Sequence, residues 1–267
     1  MLLCIFLIVA LLCTAAYVFV FCAGAFSFWG SIAVFVLSFL AAHVLYLLGA
    51  AVLSLFVDEK PLEKEYPLCR NCIGDLANLV MSYVGARLHI KGLEKLPEER
   101  FLMVCNHRSA FDPISMMGTM RKYKISCVSK PSNMKIPVLG RLAYGMGYLA
   151  IDRENDRNAL KTILQAADYI KRGVCSMCIY PEGTRSRDGK LLPFHAGSFK
   201  IAQRAGAPLV IACTSGGERV FKNFPFRTTH MSLNILEVLP ADKVKAMSTG
   251  ELSQYSRSLI EKNLTQD

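Results

Sequence analysis

The first 57 residues of the chain, Met1 to Val57, contain no Asp, Glu, Lys or Arg, and this apolar segment constrains the fold more than any other feature. As one helix it would extend roughly 85 Å at about 1.5 Å per residue, whereas a bilayer core needs only about 20 residues to cross. Two helices joined by a turn account for the whole segment. The run CAGAFSFWGS, Cys22 to Ser31, holds two glycines and two serines and is the predicted turn.

The sequence therefore predicts a membrane-anchoring helical hairpin over residues 1–57, with buried helices of a soluble protein as the alternative. A secretory signal peptide fits poorly, because no basic residue precedes the apolar run and the run is too long. The formal net charge of +10 lies entirely in the rest of the chain, and Lys60, Lys64 and Arg70 follow the hairpin closely. Basic flanks indicate the cytoplasmic face of the cell membrane, where anionic lipids attract them.

Ten cysteines include two CxxC pairs, Cys69/Cys72 and Cys175/Cys178, whose four thiols resemble a zinc site on paper. The second pair lies in the strand-like run VCSMCIY, where residues three apart point to opposite faces. A cytoplasmic location also argues against disulfides. We therefore interpret the cysteines as small buried apolar residues and expect no metal site.

Beyond residue 57 the pattern alternates between helices and strands. A partly amphipathic connecting helix is predicted over 58–85, and an α/β domain over 86–267. The predicted helix that starts at Asn158 has one apolar face containing Leu160, Ile163, Leu164, Ala167 and Ile170. A final helix opens with a capping box, Ser248 and Glu251. Apolar strand runs occur in ARLHIK, FLMVC, ISCVS, VCSMCIY, PLVIAC and MSLNILEVL. Such runs predict a mixed, largely parallel sheet with helices on both faces.

The stretch NHRSAFDP places His107 just after a predicted buried strand and five residues before Asp112. A histidine accepts a proton near neutral pH, and a carboxylate on one ring nitrogen leaves the other free to act as a general base. The structural alternative is that Asp112 caps a helix that starts at Pro113. Both roles are compatible, because a carboxylate has two oxygens.

A second stretch, YPEGTRSRDG, follows another strand and combines Gly183 with Arg185. Glycine lets backbone N–H groups approach an anion, and arginine binds phosphate through two parallel hydrogen bonds. Lys130 and Arg153 also follow predicted strands, so the cations suggest a phosphate pocket at one edge of the sheet. A solvated turn with surface arginines is the alternative interpretation.

In their order and separation, NHRSAFDP and YPEGTRS resemble the H-x4-D and Pro-Glu-Gly-Thr-Arg motifs of the glycerolipid acyltransferase family. The resemblance is greatest to the bacterial 1-acylglycerol-3-phosphate acyltransferases. The stretches SKPSNMKIPVLG, GYLAIDR and PFHAGSFKIAQRAGAPLVIA are similar to the family's other blocks, and the resemblance covers roughly residues 88–214.

The resemblance implies acyl transfer from a thioester, carried by acyl-CoA or an acyl carrier protein, to the sn-2 hydroxyl of lysophosphatidic acid. His107 would be the general base and Asp112 would orient it, without a cofactor, a metal or an enzyme nucleophile. Backbone N–H groups near His107 or Gly183 are candidate oxyanion donors. The resemblance also implies an acceptor-binding set: Lys130, Arg153, Glu182, Gly183, Thr184 and Arg185.

Three alternatives remain open from the sequence. The acceptor could be glycerol 3-phosphate or another lysolipid. The protein could be a non-catalytic membrane-bound module that binds phospholipid; nucleic acid is not an expected partner. It could also be a lysophospholipase, which would use water in place of the glycerol hydroxyl and release free fatty acid.

Overall fold

The structure is a computed structural model that describes residues 1–21, 27–152, 155–186 and 190–264. The chain divides into two compact units, Met1–Phe56 and Val57–Asp267. The first unit consists of the helices α1 (Leu2–Phe21) and α2 (Phe28–Leu55). Both are long and apolar enough to cross a bilayer, and most of their large apolar side chains are exposed. The core of the predicted turn, residues 22–26, lies outside the described residues.

The two helices of the first unit pack against each other through aromatic contacts. The ring of Phe6 lies 4.2 Å from that of His43 and 6.0 Å from that of Tyr46, between ring centroids. The hydroxyl of Ser27 accepts a hydrogen bond from the backbone N–H of Gly30 and caps α2. A helix that is apolar on all sides is typical of a membrane span, which agrees with membrane association of this unit.

Within the described residues of the second unit, seven strands form one sheet. They are β1 (Ala86–Lys91), β2 (Leu102–Cys105), β3 (Ile125–Ser129), β4 (Leu149–Ala150), β5 (Ser176–Ile179), β6 (Leu209–Ser215) and β7 (Thr229–Leu239). Their spatial order is β1-β7-β6-β2-β5-β3-β4. Strands β6, β2, β5, β3 and β4 run parallel, while β7 is antiparallel to β6 and parallel to β1. The five parallel strands therefore all end at one edge of the sheet, where β1 and β7 begin.

Helices cover both faces of this sheet, as the sequence predicts. They are α3 (Pro67–Tyr83), α4 (Phe111–Thr119), α5 (Pro131–Met134), α6 (Leu139–Gly145), α7 (Asp156–Lys171), α8 (Lys200–Ala205), α9 (Val220–Asn223), α10 (Ala241–Ala246) and α11 (Thr249–Leu264). Leu102 and Val104 of β2 face the core that contains α7 and α8. The predicted capping box is present, because Ser248 and Glu251 exchange side-chain to backbone hydrogen bonds. The predicted fold class is confirmed.

Three local predictions need correction. Leu160 and Leu164 are 47% and 45% exposed, because α7 instead buries a face that includes Ala166 and Tyr169. Arg70 is not a membrane-flanking cation: its guanidinium is buried, donates to Glu65 Oε2 at 2.6 Å and also donates to backbone carbonyls. Asp112 is not a helix N-cap, because α4 begins one residue earlier and its carboxylate accepts hydrogen bonds from preceding residues.

The cysteines of both CxxC pairs are buried, and every cysteine in the described ranges is a free thiol. Burial raises the pKa of Cys69 and of Cys175 to about 11 each. These thiols therefore stay protonated at neutral pH. Among the described residues, no cluster of three or more His, Cys, Asp or Glu side chains is placed to hold a metal ion.

Candidate active site

A histidine–aspartate pair lies where β2 ends. The Nδ1 atom of His107 is 3.0 Å from Oδ2 of Asp112, whose side chain is 1% exposed. The same carboxylate oxygen accepts hydrogen bonds from the backbone N–H groups of Arg108, at 2.9 Å, and Ser109, at 2.7 Å. The loop is thus folded around one buried carboxylate oxygen. Because Nδ1 is held by Asp112, Nε2 is the ring nitrogen of His107 that can face a substrate.

Asn106 fixes the position from which this loop departs. Its side chain is fully buried, donates from Nδ2 to the carbonyl of Thr214 at 2.9 Å, and accepts at Oδ1 from the N–H of Thr214 at 2.8 Å. This pair of hydrogen bonds joins the end of β2 to β6. Sequence reasoning missed Asn106, although a polar residue directly after a buried strand run is a signal that could have indicated it.

The aromatic ring of Tyr180, at the end of β5, stacks on the imidazole of His107. The ring centroids are 4.2 Å apart and the planes are inclined by 22°. Burial raises the pKa of the Tyr180 phenol well above its usual value, so the ring presents a neutral face to the histidine. This contact restricts the rotation of the imidazole. No local sequence pattern indicates this contact.

Glu182 connects the second motif to the histidine. Its buried carboxylate accepts from the N–H of His107 at 2.6 Å and from the N–H of Leu192 at 3.0 Å. Ser186 donates its N–H to the carbonyl of His107 at 2.9 Å. Burial raises the pKa of Glu182, while the two N–H donors act in the opposite direction.

The predicted role of Glu182 in acceptor binding stays a prediction, and the structure adds a second role for its carboxylate. Each of its two carboxylate oxygens accepts a hydrogen bond from a backbone N–H group. Through the hydrogen bond from His107, the Glu182 carboxylate joins the loop that contains Arg185 to the loop that contains His107.

The remaining residues of the second motif, YPEGTRSRDG, follow Glu182 in the chain. Gly183 has φ +73°, a left-handed conformation that disfavours other residues. Thr184 and Arg185 follow it on the surface. Lys130 is exposed at the end of β3, two strands from β2. Arg153 lies outside the described residues.

Four of the candidate oxyanion donors near His107 and Gly183 are hydrogen-bonded within the protein. The N–H of His107 is bonded to Glu182, and those of Arg108 and Ser109 are bonded to Asp112. The N–H of Gly183 donates to the carbonyl of Tyr180 at 3.0 Å. These four groups stabilise the loops themselves, which the sequence alone does not reveal.

A cavity of about 490 Å³ opens beside Tyr180. Its inner wall is apolar and includes Val128 and Ile163, whereas His195 and Lys200 contribute polar groups. This volume lies in the range of small-molecule binding sites. The cavity therefore shares one lining residue, Tyr180, with the contacts of His107.

The sheet, the five-residue spacing from His107 to Asp112 and the adjoining glycine–arginine loop define an acyltransferase of the H-x4-D class. The Acyltransferase family model matches residues 87–215. The 1-acyl-sn-glycerol-3-phosphate acyltransferase of Escherichia coli (strain K12) is 31% identical over 168 residues, which cover 62% of this chain and 67% of that protein. The chain belongs to the acyltransferase family.

Two further comparisons agree with this assignment. The 1-acyl-sn-glycerol-3-phosphate acyltransferase of Haemophilus influenzae is 29% identical over 197 residues, 70% of this chain and 81% of that protein. The crystal structure of the 1-acyl-sn-glycerophosphate (LPA) acyltransferase PlsC from Thermotoga maritima superposes with a TM-score of 0.60 at 23% identity. It covers 74% of this chain and 78% of that one, and it supports the fold.

Proposed function

We propose that the protein transfers an acyl chain from an acyl thioester to the free sn-2 hydroxyl of 1-acyl-sn-glycerol 3-phosphate, which yields phosphatidic acid for phospholipid synthesis. The observation that carries the proposal is the His107–Asp112 pair at 3.0 Å, held by Glu182 beside the loop of Arg185. The relatives named for this reaction support the choice of acceptor.

In this mechanism Nε2 of His107 removes the proton of the acceptor hydroxyl as its oxygen attacks the thioester carbonyl. The buried charge of Asp112 stabilises the imidazolium that forms. When the tetrahedral intermediate collapses, the C–S bond breaks and the imidazolium returns its proton to the thiolate. General-base catalysis of this kind supplies typically 10²–10⁴-fold, and the rest comes from positioning both substrates.

The acceptor's phosphate is bound by the loop after β5. Arg185 is exposed next to the site, and its guanidinium can bind two phosphate oxygens at once. Gly183 and Thr184 shape the approach to that loop. Lys130, at the end of β3, and Arg153, which lies outside the described residues, are further candidate ligands of the phosphate. The thioester donor is acyl-CoA or an acyl carrier protein, both of which present the same reacting group.

A lipid acceptor that resides in the membrane explains why a membrane anchor and a catalytic domain occur in one chain. Residues 1–57 anchor the protein as a helical hairpin, residues 58–85 connect it, and the catalytic domain of 86–267 lies on the cytoplasmic face of the cell membrane, near anionic lipids. Protease added to right-side-out vesicles should leave the catalytic domain intact and should digest it in inverted vesicles. Digestion in the right-side-out preparation would contradict this orientation.

A panel of acceptors tests the proposed reaction. The purified full-length protein is given a labelled acyl thioester with lysophosphatidic acid, glycerol 3-phosphate, a lysolipid without a free phosphate monoester, or no acceptor. We expect label in phosphatidic acid from the first. If the label appeared chiefly in lysophosphatidic acid made from glycerol 3-phosphate, then glycerol 3-phosphate would be the acceptor. Release of labelled fatty acid alone would indicate a hydrolase.

Glu182→Gln should lower kcat. The amide oxygen of glutamine can accept only one of the two backbone N–H groups that Glu182 accepts, and the NH₂ group then faces the second one, from which it cannot accept a hydrogen bond. The one backbone donor left without an acceptor costs about 1–3 kcal/mol of stability, and displacement of the loop lowers transfer on the order of 10- to 100-fold. Thermal unfolding and steady-state kinetics measure the two effects. Glu251→Gln, at the exposed capping box of α11, is the control. Wild-type kcat in Glu182→Gln would show that the hydrogen bonds accepted by the Glu182 carboxylate are dispensable for transfer.

Gly217→Ala should reduce transfer without touching the substrate. An added Cβ at Gly217 would lie 2.7 Å from Oδ1 of Asp112 and 2.9 Å from the Cβ of Ser109. The Asp112 carboxylate contacts His107 and accepts the N–H of Ser109. We expect kcat to fall on the order of 10- to 100-fold, since misplacement by about 1 Å can have that effect. Gly250→Ala, whose Cβ meets only an atom 3.9 Å away, should retain wild-type kcat. Equal activity in both variants would refute the packing argument.

A further inference from the structure

A short aromatic segment follows the end of β6 and has no role in the proposed chemistry. Residues 219–230 read RVFKNFPFRTTH: three phenylalanines, the cations Arg219, Lys222 and Arg227, and no acidic residue. We call residues 219–227, which include the short helix α9 (Val220–Asn223), the phenylalanine loop. Phe221 is 76% exposed, Phe224 49% and Phe226 93%. Large apolar side chains clustered on a surface in this way mark an interaction site.

The phenylalanine loop is a built structure rather than a loose connection. Val220 is fully buried in a cluster that also contains Phe111 and Met231. The N–H of Phe224 donates to the carbonyl of Val220 at 3.0 Å, and the N–H of Arg227 donates to the carbonyl of Asn223 at 2.8 Å. The backbone is therefore fixed by the core, and the three rings point outward from it.

The loop is next to the histidine–aspartate pair. The ring of Phe221 packs on that of Phe111 with centroids 5.1 Å apart, and Phe111 precedes Asp112 in the chain. Gly217, two residues before the loop, lies against the carboxylate of Asp112. Both contacts occur at the edge of the sheet where β2 ends and β7 begins. A surface that receives this loop is thereby brought close to His107.

We propose that the phenylalanine loop inserts its rings into the headgroup and upper acyl region of an anionic phospholipid leaflet. Exposed phenylalanines bracketed by Arg219, Lys222 and Arg227 match the apolar interior and negative surface of such a leaflet. Lipid is favoured over a protein partner because the same chain carries two helices long enough to cross a bilayer. Inserted there, the loop holds His107 at the depth where the glycerol phosphate of a lipid acceptor lies.

Quenching of fluorescence by brominated lipid tests the insertion without reference to catalysis. The chain has one tryptophan, Trp29, so the double variant Trp29→Phe/Phe226→Trp carries its single fluorophore in the loop. The full-length variant is reconstituted into vesicles of phosphatidylcholine and phosphatidylglycerol whose acyl chains are brominated or unbrominated. We expect emission from position 226 to fall several-fold in the brominated vesicles. The same result is expected at the less exposed position 224.

The matched control is Trp29→Phe/Lys245→Trp. Lys245 is exposed on α10, which follows the other end of β7, and one strand of 11 residues separates it from the loop. Its fluorophore should be insensitive to bromine. Emission from positions 226 and 224 as insensitive as that from position 245 would overturn the proposal. So would shielding of position 226 by an acidic carrier protein with no quenching by bromine, which would assign the surface to a protein.

Discussion

Replacement of His107 by alanine is expected to lower kcat for phosphatidic acid formation by about 10²–10⁴-fold, the typical contribution of a general base. The variant lacks the nitrogen that accepts the hydroxyl proton, while Glu182 still holds the backbone of residue 107 through its N–H. The loop of Arg185 therefore stays in place. KM for lysophosphatidic acid should change little, because the imidazole acts in the chemical step rather than in phosphate binding. Steady-state kinetics in mixed micelles separate the two parameters.

His89→Ala is the matched control for this variant. His89 is an exposed histidine of β1, and its Nε2 lies 2.9 Å from Nδ1 of His230, so it tests the loss of an imidazole away from the pair. We expect it to retain wild-type kcat. If His107→Ala retained wild-type kcat as well, the base would have to be another group.

The second large effect is expected at Asp112, where two substitutions separate charge from structure. Asp112→Asn keeps an oxygen that can accept the N–H groups of Arg108 and Ser109, but it removes the buried charge that stabilises the imidazolium. Asp112→Ala removes the acceptor as well, and the unpaired buried donors cost about 1–3 kcal/mol of stability. We expect the alanine variant to be as inactive as His107→Ala and to unfold at a lower temperature. The asparagine variant should keep its stability and lose less activity.

The double variant His107→Ala/Asp112→Ala tests whether the two residues act as one unit. Residues that act together in catalysis show strongly non-additive losses. We therefore expect the double variant to be no less active than His107→Ala alone. A further loss equal to that of the Asp112 single variant would mean that the carboxylate contributes independently of the histidine.

The sequence predicts the fold well where one physical signal dominates. The charge-free segment of residues 1–57 predicts two helices, and α1 and α2 are present. Continuous apolar runs such as FLMVC predict buried strands, and β2 is fully buried. The apolar face of α7 is predicted less well, because part of it borders the cavity beside Tyr180: Leu160 is both exposed and part of the cavity lining. Periodicity does not distinguish a core face from a cavity wall.

One part of the candidate site is predicted by local sequence, and the rest depends on long-range contacts. The spacing within NHRSAFDP predicts that His107 and Asp112 meet, and they lie 3.0 Å apart. The contacts that Tyr180, Asn106 and Glu182 make join strands far apart in sequence, so local pattern does not show which partners they have, although the position of Asn106 after a buried strand run marks it as a candidate. Glu182 lies in the glycine–arginine stretch that predicts a phosphate site, and its two oxygens accept the N–H groups of His107 and Leu192.

The most direct test of the central claim measures binding and transfer side by side in one preparation. Wild type and His107→Ala, reconstituted in the same vesicles, are titrated with labelled lysophosphatidic acid and then given an acyl thioester. We predict equal binding by both proteins and phosphatidic acid from wild type, with transfer by the variant lower by 10²-fold or more. Wild-type protein that binds lysophosphatidic acid but makes no phosphatidic acid would contradict the account, and so would equal transfer by the two proteins.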